Sequence, residues 1–176
     1  MKFKLKNKKN IFIIEDDKVF AMTLKADIEN AFKNIPIKIH LFSSGEISME
    51  KFMQVMPQVV ILDYHLNGKY SEAADGVKVL SWMKKENEAT KVIMLTGDSD
   101  IEKAIEAFRH GAFDYVVKTE AKFDKINVSL TNVFKIIDEK RKKNNYKHFL
   151  LIVLFCLLFL IGGVFSLALF APYLLK

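Results

Sequence analysis

Near its end the chain carries 22 consecutive residues without a charged side chain, FLLIVLFCLLFLIGGVFSLALF at residues 149–170. At about 1.5 Å per residue, a helix of this length reaches roughly 33 Å, enough to cross a hydrocarbon core of about 30 Å. Buried helices of soluble proteins seldom keep an apolar run of this length. The run therefore predicts a transmembrane helix, with residues 1–148 before it and residues 171–176 after it.

Basic residues are concentrated directly before this run. Residues 1–139 contain 21 Lys and Arg and also 21 Asp and Glu, so this part is formally neutral. The surplus positive charge comes from the terminal Lys176 and from a cluster before the run: Lys140, Arg141, Lys142, Lys143 and Lys147. Because segments rich in Lys and Arg stay in the cytoplasm, we expect a single-pass protein of the inner (plasma) membrane with its N-terminal part cytoplasmic. The neutral N-terminal part gives no reason to expect nucleic-acid binding.

Short apolar, β-rich segments alternate with segments of helical periodicity in residues 8–139. The predicted strands are residues 10–14, 37–42, 59–62, 91–95 and 113–117. The predicted helices are residues 18–34, 44–56, 76–86 and 100–111, and one that begins near residue 121 and runs toward residue 147. In the first helix the apolar residues at helical spacing are Val19, Met22, Ile28 and Phe32, and in the last helix they are Ile126, Leu130, Val133 and Ile137. This alternation predicts an α/β fold, a doubly wound parallel sheet with helices on both faces.

Unusual polar residues follow four of the predicted strands. Glu15, Asp16 and Asp17 follow the first strand, Asp63 the third, Thr96 the fourth and Lys118 the fifth. Since ligands of open parallel sheets bind outside the carboxyl ends of the strands, these side chains are expected to share one crevice. Clustered carboxylates repel one another unless a cation neutralises them, and oxygen ligands favour Mg²⁺ or Mn²⁺. A lysine and a hydroxyl beside them complete a site for a phosphoryl group, with Asp63 as the nucleophile.

Each of these residues alone has a simpler explanation. An acidic pair after a strand is most often a helix N-cap with a solvated neighbour. Thr96 alone favours capping or turn chemistry, and Lys118 alone favours a surface lysine. The prediction of a phosphoryl site depends on all four strand ends together.

The segments IFIIEDD, VVILDYHL, VIMLTG and GAFDYVVK resemble the receiver domain of two-component response regulators over about residues 8–139. The resemblance implies a flavodoxin-like fold and phosphorylation of Asp63 by a phosphohistidine on a sensor histidine kinase or a histidine phosphotransfer protein. It also implies Mg²⁺ bound by Glu15, Asp16, Asp63 and the backbone carbonyl of His65. Thr96 matches the family's switch hydroxyl, Lys118 its phosphate-pairing lysine and Tyr115 its switch aromatic, although a half-buried strand aromatic would look the same.

Two features depart from the family pattern. Thr119 follows the lysine where the family usually has a proline in a cis peptide, and a cis bond without proline costs about 3 kcal/mol. The loop at residues 67–75 is longer than the usual turn and lacks its proline. This longer loop is expected to alter partner access or the lifetime of the phosphate. The side chains predicted to modulate the site are Asp17, His65, Asp98 and Thr119.

The resulting domain organisation is a receiver domain (1–139), a basic juxtamembrane linker that continues the last helix (140–148), a transmembrane helix (149–170) and a short extracytoplasmic tail (171–176). We expect a membrane-anchored, single-domain response regulator that signals by protein interaction. It is expected to be no enzyme beyond phosphorylation and dephosphorylation of its own Asp63. The family also suggests a homodimer, paired through the fourth and fifth helices and the last strand. Two alternatives remain open: a phosphorylation-independent membrane adaptor and a phosphate sink for a kinase.

Overall fold

The computed structural model describes residues 8–66, 74–97 and 99–174, with residues 164–174 described in the backbone alone. Three features of the sequence analysis fall wholly or partly outside these residues: most of the loop 67–75, Asp98, and the end of the tail 171–176. The chain forms two compact units, Met1–Val133 and Phe134–Lys176.

The first unit contains the predicted alternation of strands and helices. Its strands are β1 (Lys9–Ile14), β2 (Ile37–Phe42), β3 (Val59–Asp63), β4 (Lys91–Thr96) and β5 (Asp114–Val117). Its helices are α1 (Lys18–Ala31), α2 (Gly45–Val55), α3 (Gly76–Glu86), α4 (Ile101–Arg109) and the start of α5 (Lys122–Leu174). The strands form one sheet in the order β2-β1-β3-β4-β5, and all four neighbouring pairs are parallel. The predicted α/β class with a five-stranded parallel sheet is confirmed.

The sheet is covered on both faces, and its central strands are buried along most of their length. All five residues of β3 are buried. One face packs against α2, α3 and α4 in a core that includes Phe12, Phe52 and Leu80. Since side chains alternate along a strand, Ile11 and Ile13 point to the opposite face. That face belongs to α1 and α5, which are joined by a 2.8 Å hydrogen bond from Asn127 Nδ2 to Asp27 Oδ2.

The buried face of α1 differs from the predicted one. Val19 is 75% exposed and Met22 is 56% exposed, whereas Ala21, Leu24 and Ile28 are buried. The helix also ends at Ala31 rather than at residue 34, since Phe32 donates its N–H to the Ile28 carbonyl and a turn follows. Of the predicted stripe, Ile28 is buried as expected, while Leu24 and Ala21 take the core positions expected for Val19 and Met22.

The last helix, α5, begins one residue after the predicted start. Ile126, Leu130 and Val133 are buried as the predicted stripe requires, and Ile137 is half-buried. The helix continues without a break through Leu174. Judged by length and composition, α5 is the one helix among the described residues that is long and apolar enough to cross a membrane.

Candidate functional site

The predicted site residues lie at the carboxyl edge of the sheet, where hydrogen bonds fix the strand ends. Asp63 is the last residue of β3 and Thr96 the last of β4, while Lys118 directly follows β5. The Lys118 N–H donates to the Thr96 carbonyl at 2.7 Å, and the Tyr64 N–H donates to the Leu95 carbonyl at 2.7 Å. These bonds continue the sheet one residue past β5 and β3, so the side chains at the strand ends are held in register.

The three acidic side chains of the predicted metal site lie together. Glu15, Asp16 and Asp63 each offer a carboxylate oxygen, and these oxygens lie within 4.8 Å of one another. Glu15 and Asp63 are each only 3% exposed. Within the described part of the chain, the buried Asp63 Oδ1 has no hydrogen-bond partner. A hard cation fits this donor set, because it would satisfy that oxygen and neutralise the clustered charge.

Lys118 joins two of these carboxylates. Its Nζ lies 2.9 Å from Asp63 Oδ2 and 2.7 Å from Glu15 Oε2. The lysine is thus placed where it can pair with an oxygen of a group attached to Asp63. One ammonium does not balance three carboxylates, so the cluster remains attractive to a cation.

The electrostatics of the cluster follow from burial and from this ion pair. Burial raises the pKa of Glu15 to about 7, in spite of the lowering effect of Lys118, and the charge of Asp63 also raises it. Burial lowers the pKa of Lys118, but its contacts with Glu15 and Asp63 outweigh that effect and leave its pKa raised. Lys118 is therefore charged across the physiological range, whereas a cation at this site competes with a proton on Glu15 near neutral pH.

The two predicted switch residues lie on neighbouring strands. Thr96 is fully buried at the end of β4. Tyr115 is half-buried in β5, opposite Met94 of β4, and its ring packs against the core beneath α3 and α4. Their switch roles remain predictions.

The predicted modulators occupy different environments. Asp17 caps α1, since its Oδ1 accepts hydrogen bonds from the N–H groups of Val19 and Phe20. His65 is exposed, with its ring 4.9 Å from that of Tyr64. Thr119 is exposed, and its N–H, which a proline would lack, donates to the Val117 carbonyl at 2.8 Å. The Lys118–Thr119 peptide is trans, as are all peptide bonds in the described ranges. Asp98 lies outside those ranges.

One aromatic contact of Lys118 was missed by the sequence analysis. The ring of Phe20, in the first turn of α1, lies with its centroid 4.9 Å from Lys118 Nζ. The signal that could have found it is positional, because the first turn after an acidic strand end borders the same crevice.

Gly76 lies against the backbone of the acidic site at the start of α3. Its N–H donates to the Tyr64 carbonyl at 2.9 Å. A Cβ at this position would lie 2.3 Å from the Asp63 carbonyl oxygen and 2.8 Å from Tyr64 Cα. Backbone atoms cannot rotate away as a side chain can, so any residue with a Cβ forces α3 and the end of β3 apart.

We therefore expect Gly76→Ala to lower the free energy of unfolding by about 2 kcal/mol, the usual range for overpacking. Urea unfolding followed by circular dichroism measures this change. Gly97→Ala is the matched control, because a Cβ at residue 97 would have no neighbouring atom within 4 Å in the part of the chain that the structure describes. Equal stability of the two variants would contradict the close approach at Gly76.

Comparison with known proteins identifies the fold and the family. The sequence profile described as "Response regulator receiver domain" matches residues 11–129. The chain belongs to the response regulator receiver domain family. It is 27% identical over 132 residues to the regulatory protein AtoC of Escherichia coli K12, an alignment that covers 75% of this chain and 26% of AtoC. The receiver domain therefore corresponds to about a quarter of that relative.

Solved receiver structures share the fold. A receiver domain protein from Clostridium thermocellum superposes with a TM-score of 0.63 at 24% identity, covering 74% of this chain and 97% of that one. A response regulator from Burkholderia pseudomallei, described with a phosphorylated aspartic acid and a calcium ion, gives a TM-score of 0.60 at 23% identity and covers 77% of this chain and 75% of that one. Receiver domains are phosphoacceptor signalling domains of two-component systems. They bind Mg²⁺ at an acidic pocket and interact with histidine kinases or phosphotransfer proteins.

Proposed function

We propose that this chain is a membrane-anchored response regulator that accepts a phosphoryl group on Asp63 and signals by protein interaction. The observation that carries the proposal is the contact of Lys118 Nζ with both Asp63 Oδ2 and Glu15 Oε2 beside the Asp16 carboxylate. A buried aspartate, the adjacent acids Glu15 and Asp16, and a lysine lie at one edge of the sheet, and this set of groups suits the stabilisation of a phosphoryl group.

The proposed reaction is a phosphoryl transfer in which Asp63 is the nucleophile. A carboxylate oxygen of Asp63 forms a bond to phosphorus as the bond from phosphorus to the donor nitrogen of a phosphohistidine, or to the acyl oxygen of a small donor, breaks. The electron pair of the broken bond leaves with the donor. Dephosphorylation is a separate hydrolysis in which water attacks the phosphorus, the bond from phosphorus to the Asp63 carboxylate breaks, and inorganic phosphate and a proton are released. Lys118 pairs with a phosphoryl oxygen in both steps.

Glu15, Asp16, Asp63 and the backbone carbonyl of His65 would hold Mg²⁺ or Mn²⁺. When bound, the ion supplies neutralisation of the charge on the phosphoryl oxygens. The chain's own contribution is to hold the carboxylates within 4.8 Å of one another and to bury Asp63. The fully buried Thr96 and the half-buried Tyr115 are the proposed responders to the new phosphate.

We expect acetyl phosphate with Mg²⁺ to phosphorylate the wild-type chain and to leave Asp63→Asn unlabelled, because an amide cannot act as the nucleophile. Intact-mass spectrometry measures the added phosphoryl group. Asp124→Asn is the matched control, since Asp124 is an exposed aspartate in the first turn of α5. Label on Asp63→Asn equal to that on the wild type would refute the proposal. If cells that carry Asp63→Asn keep the wild-type phenotype and partner binding, a phosphorylation-independent adaptor is favoured.

The anchor is proposed from the second unit. Apolar side chains along residues 149–161 are exposed, and Phe159, for example, is 77% exposed. Such a surface is unstable in water and suits a lipid environment. The basic cluster that precedes it favours a cytoplasmic receiver domain. Anchoring would raise the effective concentration of the receiver domain toward membrane-bound sensor kinases, its proposed partners.

A candidate surface for partners lies on α4. Exposed apolar residues on α4, namely Ile101, Ile105 and Phe108, support a protein-binding surface or pairing of two copies. Rapid turnover of the phosphate without any phosphate-dependent partner would instead favour a phosphate sink.

A further inference from the structure

Two aromatic rings and two lysines form a cluster beside the acidic site. The Phe20 ring of α1 stacks on the Phe123 ring of α5, with centroids 5.9 Å apart and planes inclined by 28°. Lys118 Nζ lies 4.9 Å from the Phe20 centroid. Lys122 Nζ lies 6.0 Å from the Phe20 centroid and 5.1 Å from that of Phe123. The three distances from a lysine to a ring fall within the range of cation–π attraction.

Lys118 is thereby held by three partners. Its ammonium contacts Glu15 at 2.7 Å, Asp63 at 2.9 Å and the ring of Phe20. An ammonium has three N–H donors and no acceptor, so two carboxylates leave part of its charge for the ring. The lysine side chain is only 21% exposed, which limits the competing hydration by water.

Phe20 is itself held in place from two directions. Its backbone N–H donates to Asp17 Oδ1 at 3.0 Å, which fixes the first turn of α1. Its ring is half-buried and stacks on Phe123. A ring fixed at both its backbone and its face can restrict the motion of the lysine beside it.

From this geometry we infer that Phe20 is a positioning residue that holds the Lys118 ammonium against Asp63 and so sets the rates at which Asp63 gains and loses a phosphoryl group. The inference rests on the proposed function of Asp63. In both phosphorylation and hydrolysis the same ammonium neutralises charge on the phosphoryl oxygens. A lysine that explores other positions is correctly placed for a smaller fraction of the time, and both rates fall.

Substitutions of Phe20 by leucine and by tyrosine test the effect of the ring's π face separately from the effect of its bulk. Phe20→Leu keeps an apolar side chain but removes the π face, while Phe20→Tyr keeps that face. We expect Phe20→Leu to reduce the rate of labelling by saturating acetyl phosphate about fivefold, and the rate of phosphate loss by a similar factor. Phe20→Tyr should restore both rates to within about twofold of the wild type.

Phe113→Leu is the matched control. Lys91 Nζ lies 5.6 Å from the Phe113 ring, so this variant loses the same type of contact in a pair that takes no part in the acidic cluster. The full chain in detergent micelles with Mg²⁺ is used for all four proteins. Phe113→Leu should label and lose phosphate at wild-type rates.

A second readout reports the geometry without any phosphoryl transfer. The ring current of Phe20 should displace the side-chain NMR signals of Lys118, which are assigned from their loss in Lys118→Arg. We expect that displacement to disappear in Phe20→Leu, to persist in Phe20→Tyr and to be unchanged in Phe113→Leu.

Wild-type rates in Phe20→Leu, or equal slowing in Phe20→Leu and Phe20→Tyr, would overturn the inference. So would Lys118 signals that do not respond to Phe20→Leu. If the wild-type chain takes no label at all, the proposed function of Asp63 fails, and the NMR signals alone then decide whether Phe20 holds the ammonium.

Discussion

Lys118→Met is expected to slow the labelling of Asp63 by acetyl phosphate about 100-fold. Methionine has a similar length but no charge, so nothing on the chain pairs with the phosphoryl oxygen where Lys118 Nζ now lies 2.9 Å from Asp63 Oδ2. Removal of one preorganised electrostatic contact at a reacting centre typically costs this factor. The initial rate of mass gain under saturating donor and Mg²⁺ measures the loss.

The same variant should also change stability, in a way that depends on pH. Without the ammonium, Glu15 and Asp63 are two buried carboxylates with no counter-charge, and we expect the free energy of unfolding to fall by about 3 kcal/mol at pH 8. Glu15 has a folded-state pKa of about 7, raised from 4.5, so its favourable contribution is complete below 4.5 and is lost as pH rises through 7. In Lys118→Met that pKa is higher still, because the lowering contact is gone.

The stability difference between wild type and Lys118→Met should therefore widen above pH 7 and narrow below it. Urea unfolding at pH 6 and pH 8 without added Mg²⁺ measures both differences. Lys125→Met is the control, since Lys125 is exposed on α5. We expect this variant to have nearly the wild-type free energy of unfolding at both pH values. A difference that is the same at pH 6 and pH 8 would argue against the Lys118–Glu15 contact.

The strand ends were the predictable part of this molecule. An apolar run that ends at a polar residue marks both the strand and its carboxyl end, and this pattern predicted that Asp63, Thr96 and Lys118 lie at one edge of the sheet. Parallel pairing then brings residues from distant parts of the chain together. Hydrogen bonds such as that from the Lys118 N–H to the Thr96 carbonyl hold the ends in register.

Helix faces and side-chain contacts were less predictable. The interpretation of α1 followed apolar residues at helical spacing and was right for Ile28, yet Val19 and Met22 are exposed. More than one apolar stripe can be drawn on this helix, and spacing alone does not say which of them faces the sheet. The contact of Phe20 with Lys118 joins residues almost one hundred positions apart, and no periodicity in either segment indicates it.

Two aspartates placed in the middle of the apolar run should remove the chain from the membrane. Leu158 and Ile161 lie near the centre of residues 149–170, and both are exposed on α5. Each aspartate at the centre of a spanning helix costs about 3 kcal/mol of insertion free energy, so the double variant Leu158→Asp with Ile161→Asp is disfavoured by about 6 kcal/mol. That is enough to reverse the insertion of a single helix.

The measurement is the fraction of full-length chain that sediments with membranes after an alkaline wash. Asn144→Asp with Asn145→Asp adds the same two charges to exposed positions before the apolar run and should leave the chain in the membrane fraction. A wild-type chain that washes off would refute the anchor itself. Sedimentation of the Leu158 and Ile161 double variant with the wild type would show that something other than this helix retains the chain. If only the double variant is released and it still takes a phosphoryl group on Asp63, phosphoryl transfer and anchoring are separable properties of the two units.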